Sequence, residues 1–464
     1  MRRPPLFYAG GMKRFLLALL LIAAPAAAEG EALTLYSGAT LIDGTGAPPR
    51  ADQDLLVKGE RIVATGPRGS LDAAGAKRVE LTGRTLIPGL VDSHVHLATP
   101  PDRAKAEALL RRNLFGGVTL VRSMADDVRP VAELARAAQQ GEIPAPDIRF
   151  AALMAGPSFF ADPRVAAASQ GWKPGTAPWM QAIDDGTDLR TAVTLARGTG
   201  AAAIKVYANL PSRLVSALTA EAHRQGVMIW AHSAIFPARP ADGIAAGADS
   251  VSHICYLGYQ AGPGIHPAYE DRTPVAEQRL TPDDPVMAGL FRAMLAKGTL
   301  VDATGSLFVR EEAPRKADPK AKPLRCTGKA VIALTRQAHA FGVPISTGTD
   351  FTLPPSDPWP EVHEELLFLA RDVGMKPLEV IRAATLMGAV AAGQAAERGS
   401  LEPGKLADFV VLAKDPLADI ANIRSIETVV KRGRAYARAD YMAEMPPSMN
   451  SSAPVTKRAS SETR

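Results

Sequence analysis

Thr85-Leu-Ile-Pro-Gly-Leu-Val-Asp-Ser-His-Val-His-Leu97 reads as a turn at Pro88-Gly89 followed by an apolar strand that ends in two histidines. Side chains alternate faces along a strand, so His94 and His96 point the same way with Val95 opposed. Two imidazoles side by side at the end of a buried strand suit a divalent ion, because neutral ring nitrogens are common zinc ligands. The plain alternative is a pair of hydrogen-bonded core histidines. The rest of the chain decides between them, by supplying further ligands or failing to.

Downstream of His96 the pattern is strand, helix, strand. Strands are expected at Val118–Ser123, Asp147–Leu153, Ala202–Tyr207, Val227–His232, Asp249–His253, Thr299–Ala303 and Pro344–Asp350. Helices are expected at Arg103–Phe115, Pro130–Gln140, Leu189–Gly198, Ser212–Gln225, Ala288–Lys297 and Lys329–Phe341. Several of these helices stop at a glycine before the next strand. Together with the strand carrying His94 this makes eight β/α units, the count of a closed (β/α)8 TIM barrel. Two connections are long, Ala155–Asp188 and Cys255–Pro285, and rich in Gly, Pro, Trp and Tyr. Loops after barrel strands build the substrate pocket, so these are read either as specificity loops or as ordered packing loops. Phe159, Phe160, Arg164, Trp172 and Trp179 in the first are candidates for an apolar pocket with a cation for a carboxylate.

Upstream, from Leu33 to Leu86, short apolar segments alternate with Gly, Asp and Pro, as in small antiparallel strands with tight turns. Short strands return at Ala407–Leu412 and Thr428–Gly433, and are expected to rejoin the N-terminal ones. The layout is then residues 29–88 plus 396–441 as a small β-sandwich domain, residues 89–395 as the barrel, and residues 442–464 as a disordered tail rich in Ser, Pro and charge. Asp43-Gly-Thr-Gly46 is a turn that opens no helix, which excludes a dinucleotide fingerprint.

Residues 1–28 read as a signal peptide, with translation starting at Met12. Lys13-Arg14 precede the apolar run Phe15–Ala24, and Ala26-Ala27-Ala28 offer an A-x-A cleavage site. The apolar run is shorter than the roughly 20 residues that span a bilayer. An exported, periplasmic mature chain is expected, without membrane attachment. Four cations leave with this segment and no acid does, so the formal net charge of +5 falls to +1. The basic excess is therefore the export signal, and nucleic acid is discarded as a partner. The two cysteines, Cys255 and Cys326, are read as free, buried thiols.

Of eight histidines, four fall near strand ends: His94, His96, His232 and His253. Active-site groups of a barrel come from the C-terminal ends of several strands, so these four converge. His223, His266, His339 and His363 are read as structural or solvated. His363-Glu364 lacks the later His of H-E-x-x-H, which excludes a zincin. Gly156-Pro-Ser-Phe-Phe160 lacks the second Gly of a serine-hydrolase elbow. Asp350 ends the last strand, where a carboxylate both binds metal and exchanges protons. Lys205 lies mid-strand facing inward, and a buried unpaired ammonium is costly. It is either ion-paired with an acid such as Asp350, or burial lowers its pKa enough for the amine to take up CO2 as a carbamate that bridges two metals. The second reading is preferred.

These residues resemble the amidohydrolase superfamily, in its imidazolonepropionase-like and Xaa-Pro dipeptidase-like group. The matching pieces are Pro88–His96, Ile204-Lys-Val-Tyr207, Ala231-His232, Gly247-Ala-Asp-Ser-Val-Ser-His253, Thr347-Gly-Thr-Asp350 and Gly399-Ser-Leu-Glu-Pro-Gly-Lys-Leu-Ala-Asp-Phe-Val-Val411. The resemblance implies two divalent metal ions, usually zinc. One is held by His94 and His96 with Asp350, the other by His232 and His253, with a carboxylated Lys205 between them. It further implies Asp350 as the proton-transfer group and Tyr207 as a contact to the substrate carbonyl. The expected activity is hydrolysis of an amide or peptide-like C–N bond in a small molecule by a metal-bridging hydroxide, and a homo-oligomer is compatible with it. Dipeptidase-like members carry Gly-His-Gly after the third strand. Here that place reads Ala155-Gly-Pro-Ser158, so prolyl-dipeptide specificity does not carry over. The alternatives are a mononuclear-metal deaminase or an ester or lactone hydrolase on the same barrel. A non-catalytic binding protein is disfavoured, because none of the six ligands is missing.

Overall fold

The computed structural model describes residues 32–442 except 282, 319 and 322. The expected signal peptide and the tail after Met442 lie outside the described residues. Five strands come first: β1 (Leu33–Leu41), β2 (Arg50–Lys58), β3 (Arg61–Pro67), β4 (Lys77–Glu80) and β5 (Thr85–Pro88). The barrel strands are β6 (Leu90–Val95), β7 (Val118–Ser123) and β8 (Asp147–Ala155), then, after the short β9 (Thr176–Ala177) and β10 (Met180–Ala182), β11 (Ala203–Val206) and β12 (Met228–His232). β13 (Ser250–Ser252), β14 (Leu300–Asp302) and β15 (Ile345–Ser346) complete it, and β16 (Phe409–Leu412), β17 (Ile426–Lys431) and β18 (Arg434–Ala437) follow.

β6, β7, β8 and β11 to β15 pair in parallel, in that order. The ring closes where Ser93 donates its N–H to the Thr347 carbonyl (2.7 Å) and Asp350 donates to the His94 carbonyl (2.9 Å). All eight expected barrel strands are present. Their residues are buried on both faces, which is why they read as continuous apolar runs rather than alternating ones. All six expected helices form as well, and all but Ser212–Arg224 start at a side-chain cap. Asp102, Asp127, Asp188 and Asp284 each accept a backbone N–H of the first turn. The helices of the barrel region that have no counterpart in the expectations include Pro240–Ala246 and Gly305–Ala317. The first is too short for a periodic signal, and the second carries Pro314 inside a charged segment.

The remaining strands form a separate sheet in the order β18-β17-β16-β5-β1-β2-β3, with β4 also on β1. It encloses its own core, which includes Tyr36, Leu55, Ile62, Phe409 and Val430, as the small sandwich partner of the barrel. The C-terminal β16 pairs antiparallel with β5, so the two ends of the chain meet as expected. The β17–β18 turn has Arg432 and Gly433 both at positive φ (49° and 73°), the left-handed pair that matches strand twist in a two-residue hairpin. Pro88 ends β5 and Leu90 begins β6, so Gly89 is the single residue by which the chain passes from small sheet to barrel. The two parts are joined by charge. Asp147 at the start of β8 receives Arg398, Lys431 and Arg432 at 2.5, 2.7 and 2.8 Å.

The cysteines correct the expectation of free thiols: Cys255 and Cys326 form a disulfide with Cα atoms 6.2 Å apart. Cys255 follows β13 and Cys326 precedes the helix Gly328–Ala340. A separation of 71 residues hid their approach until the barrel was assembled. No helix among the described residues is long and apolar enough to cross a membrane.

Candidate metal centre

The centre lies at the C-terminal mouth of the barrel. Several residues just past strand ends have left-handed backbones: Ala125, Asn209, His253, Thr304 and Asp350, with φ of 76°, 58°, 71°, 47° and 57°. For residues with a Cβ this conformation costs about 1–2 kcal/mol, and such strain gathers at functional sites. It turns His253 and Asp350 toward the barrel axis at the points where their strands stop.

Three imidazoles face one carboxylate. Nε2 of His94, His96 and His253 lies 3.6, 3.2 and 3.7 Å from the Asp350 oxygens. The ligand atoms of His94, His96 and Asp350 fall within 4.8 Å of one another, close enough to hold one ion. His232 stands beside His253, with ring centroids 4.8 Å apart. Each Nδ1 is engaged behind the ring: His94 with Asp302 (2.8 Å), His96 with Asp126 (3.4 Å), His253 with Thr304 Oγ1 (2.9 Å) and His232 with the Ala234 backbone (3.0 Å). Such partners fix ring orientation and leave Nε2 free toward the centre, the arrangement of a metal-binding histidine.

Burial lowers the pKa of His94, and takes His232 and His253 well below the usual imidazole value, so these rings present lone pairs. For His96 burial also opposes charge, but Asp126 and Asp350 outweigh it and hold the ring up to about 10. Partial burial opposes charge on Asp350, yet the histidines around it, His94 foremost, keep it far below the ordinary carboxylate range. Asp126 and Asp350 thus make this side of the centre attract positive charge, either a proton on His96 or a metal ion in its place.

Lys205 is 1% exposed, and its Nζ donates to Ser252 Oγ at 3.0 Å. Among the described residues no carboxylate pairs with it, so the ion-pair reading of this lysine finds no support. Burial brings its pKa to about 7 against the pull of Asp302, with Arg122 adding to the lowering. A substantial neutral fraction of the amine is nucleophilic toward CO2.

Asp126, Asp302 and Thr304 were not foreseen from sequence. Asp302 ends β14, whereas Asp350 lies four residues past β15, so the strand-end rule that picked Asp350 reaches Asp302 as well. Asp126 has no such signal. It sits in a loop and is held by Ser123, Thr99 and the Leu97 amide. Gly348 explains the glycine of Thr347-Gly-Thr-Asp350. A Cβ there would collide with Oδ1 of Asp302 and lie 2.9 Å from the His94 Cβ. The other four histidines have structural partners. His223 meets Asp249, His339 meets Glu379, His363 meets the Gly116 carbonyl, and His266 packs on Phe236.

Residues 85–436 match the amidohydrolase family. The chain belongs to that family. This amidohydrolase is 26% identical to ochratoxinase from Aspergillus niger over 84% of this chain and 83% of that one. It is 25% identical to imidazolonepropionase from Symbiobacterium thermophilum over 82% and 89%. A crystal structure of a Xaa-Pro dipeptidase with methionine bound superposes with a TM-score of 0.68 at 20% identity, covering 88% of this chain and all of that one, which shows a shared fold. With dihydroorotases and a D-aminoacylase the chain spans only about a quarter of the relative's length or less.

Two lobes open from the centre of the amidohydrolase. One, of about 230 Å³, is walled by Met124, Leu153, Phe159, Val165 and Met180. The other, of about 470 Å³, is walled by polar groups that include Tyr256, Tyr269, Glu270 and Arg272. Tyr207, Arg164, His253 and Asp350 border both. Of the aromatic candidates, Phe159 lines the apolar lobe and stacks on Tyr207 (4.7 Å), and Arg164 reaches the border. Trp179 is buried behind, donating to the Ala168 carbonyl, and Trp172 packs on it from the surface. Phe160 packs edge-on against Phe159.

Proposed function

We propose that this chain is an exported, metal-dependent amidohydrolase that cleaves an amide or peptide-like C–N bond in a small molecule. The observation that carries the reading is the set of four strand-end imidazoles, each tethered at Nδ1, three of them aiming Nε2 at Asp350. Neutral nitrogen donors with one carboxylate suit a divalent ion such as zinc. In this reading His94, His96 and Asp350 would hold one ion, His232 and His253 would hold a second, and Lys205, as a carbamate, would supply a further anionic ligand. A bound divalent ion supplies Lewis acidity and lowers the pKa of water to about 7.

The chain's own groups do the rest. Asp350 accepts a proton from the attacking water and returns it to the leaving nitrogen, the work of a general base then acid. Tyr207 stands at the junction of both lobes with its hydroxyl 3.2 Å from that of Tyr269. Burial, then Tyr269, keeps its pKa well above the phenol value, so it stays protonated and can donate to the substrate carbonyl oxygen. Phe159 and Tyr269 flank Tyr207 and limit water at the reacting carbon. The Cys255–Cys326 disulfide suits an oxidising compartment and supports export.

The test is metal analysis of the mature protein with an activity screen over N-acyl amino acids, dipeptides and lactones, repeated on Asp350→Asn. The expected result is two divalent ions per chain, hydrolysis of an amide, and a loss of about 10²–10⁴ in kcat on substitution with the fold retained. A fully active Asp350→Asn protein, or full activity after chelation and dialysis, refutes the reading. One ion with a deaminated product would identify the single-metal alternative, and hydrolysis of lactones alone the ester-type one.

A further inference from the structure

Arg272 is a buried cation that the chemistry above leaves unused. It lies in the loop between β13 and β14 and is 7% exposed. Its guanidinium sits over the Tyr269 ring, 3.1 Å from the centroid, and 5.1 Å from the centroid of Tyr256. Its Nε donates to the Tyr269 carbonyl at 2.7 Å, which fixes the plane of the fork. Among the described residues neither terminal nitrogen has a hydrogen-bond acceptor, no carboxylate pairs with the group, and Nη1 is shut off from solvent. Burying a charged donor without an acceptor is unfavourable. Two aromatic faces offset part of that cost by cation–π attraction, but they satisfy no N–H.

The fork borders the polar lobe, together with His232, His253 and Asp350. One aromatic layer separates it from the centre: the Tyr269 ring packs 5.2 Å from His232 and its hydroxyl meets Tyr207. The neighbouring cations are already engaged. Arg164 pairs with Asp162 (2.7 Å), Arg315 pairs with Glu311 (3.1 Å), and Arg325 donates to the Arg272 carbonyl (3.3 Å). Arg325, like Arg272, donates only through Nε, but of these four cations Arg272 alone has a terminal nitrogen that is buried and without an acceptor. A carboxylate matches it, since two oxygens can accept two parallel N–H bonds from a guanidinium.

We propose that Arg272 binds a free carboxylate on the leaving side of the substrate, so that the enzyme acts on N-acyl amino acids or peptides ending in an unblocked α-carboxylate. The acyl group then occupies the apolar lobe beside Phe159 and Met180, and the scissile carbonyl lies between the lobes at Tyr207. Water adds across the C–N bond; the acyl carbon keeps its oxygen and the amino acid leaves with the proton on nitrogen. This assignment rests on the amide-hydrolase reading of the centre.

The test is calorimetric binding of N-acetyl-L-phenylalanine, N-acetyl-L-leucine and N-acetyl-L-proline, and of the matching primary amides, to the metal-loaded protein and to Arg272→Gln and Arg272→Lys. Metal content is measured on each sample. The wild type is expected to bind at least one carboxylate tenfold or more tightly than its amide. That preference should vanish in Arg272→Gln and persist in part in Arg272→Lys, with metal content unchanged. Where a member is hydrolysed, the Gln change should raise KM at least tenfold with a smaller effect on kcat. Equal affinity of carboxylate and amide in the wild type, absence of binding by every acid, or a preference that survives Arg272→Gln overturns the proposal. Should the Gln variant not fold, the wild-type comparison and the Lys variant decide. The two readings fail separately. Amide hydrolysis without carboxylate preference removes only the Arg272 assignment, whereas Arg272-dependent binding without metal or hydrolysis removes the amidohydrolase reading.

Discussion

Nδ1 of His94 lies 2.8 Å from Oδ2 of Asp302, a carboxylate with no exposed surface, 208 residues away in the chain. The first barrel strand carries the imidazole and the seventh carries the acid. Arg122 holds the same carboxylate from behind, at 3.4 Å, and is itself stacked on Trp230. Asp302 is thus a positioning residue: it keeps the proton on Nδ1 and aims Nε2 at Asp350. Replacing Asp302 with Asn keeps the volume and loses the charge, and metal affinity is expected to fall about 10–100-fold. Competition with a chromophoric chelator measures this; unchanged affinity would remove the positioning role.

Lys205 leads to a spectroscopic expectation. Protein reconstituted with metal and ¹³C-bicarbonate should show a carbamate carbon resonance that is missing in Lys205→Ala. The variant should lose activity and regain part of it when formate or acetate is added. Full activity without rescue, or a resonance that persists in the variant, would exclude the carbamate.

The charge cluster between barrel and small sheet sets an acid limit. Burial alone would raise the pKa of Asp147, but Arg398, then Lys431 and Arg432, hold it far below the ordinary value. A depressed folded-state pKa gives stability that is present above the unfolded value of about 3.9 and is lost as pH falls toward the folded value. Asp147→Asn is expected to cost about 3–5 kcal/mol at pH 7 by leaving buried cations uncompensated, and to flatten the acid limb of the stability curve. Urea unfolding at neutral and acid pH checks both; an unaltered acid limb would show that Asp147 does not set it.

The disulfide spans 71 residues and pins the loop that carries Arg272 to the segment that carries Arg325. Reduction, or Cys326→Ser, is expected to lower stability by about 2–4 kcal/mol. It should also raise KM more than it lowers kcat, because the proposed metal ligands lie at strand ends and not in that loop wall. Denaturant melts and steady-state kinetics with and without reductant measure the two effects. A loss of bound metal on reduction would contradict the separation.

What could be read without coordinates was whatever repeats locally. Alternating strands and helices mark themselves by short-range periodicity and by caps such as Asp102 and Asp188, so the eight barrel strands and most helices were legible. His94, His96, His232, His253 and Asp350 were legible because each lies near the end of a strand or just past it, and every strand of a barrel delivers its end to the same mouth. The helix Gly305–Ala317 was missed because Pro314 and its charges mask the period. The pairing of Asp302 with His94, the Cys255–Cys326 bond and the solitary fork of Arg272 were not legible at all. Each depends on which segments lie side by side once the ring closes and the loops fold over its rim. The strand ends were written in local periodicity; their partners were decided by closure, because a contact across two hundred residues leaves no trace in the spacing of either one.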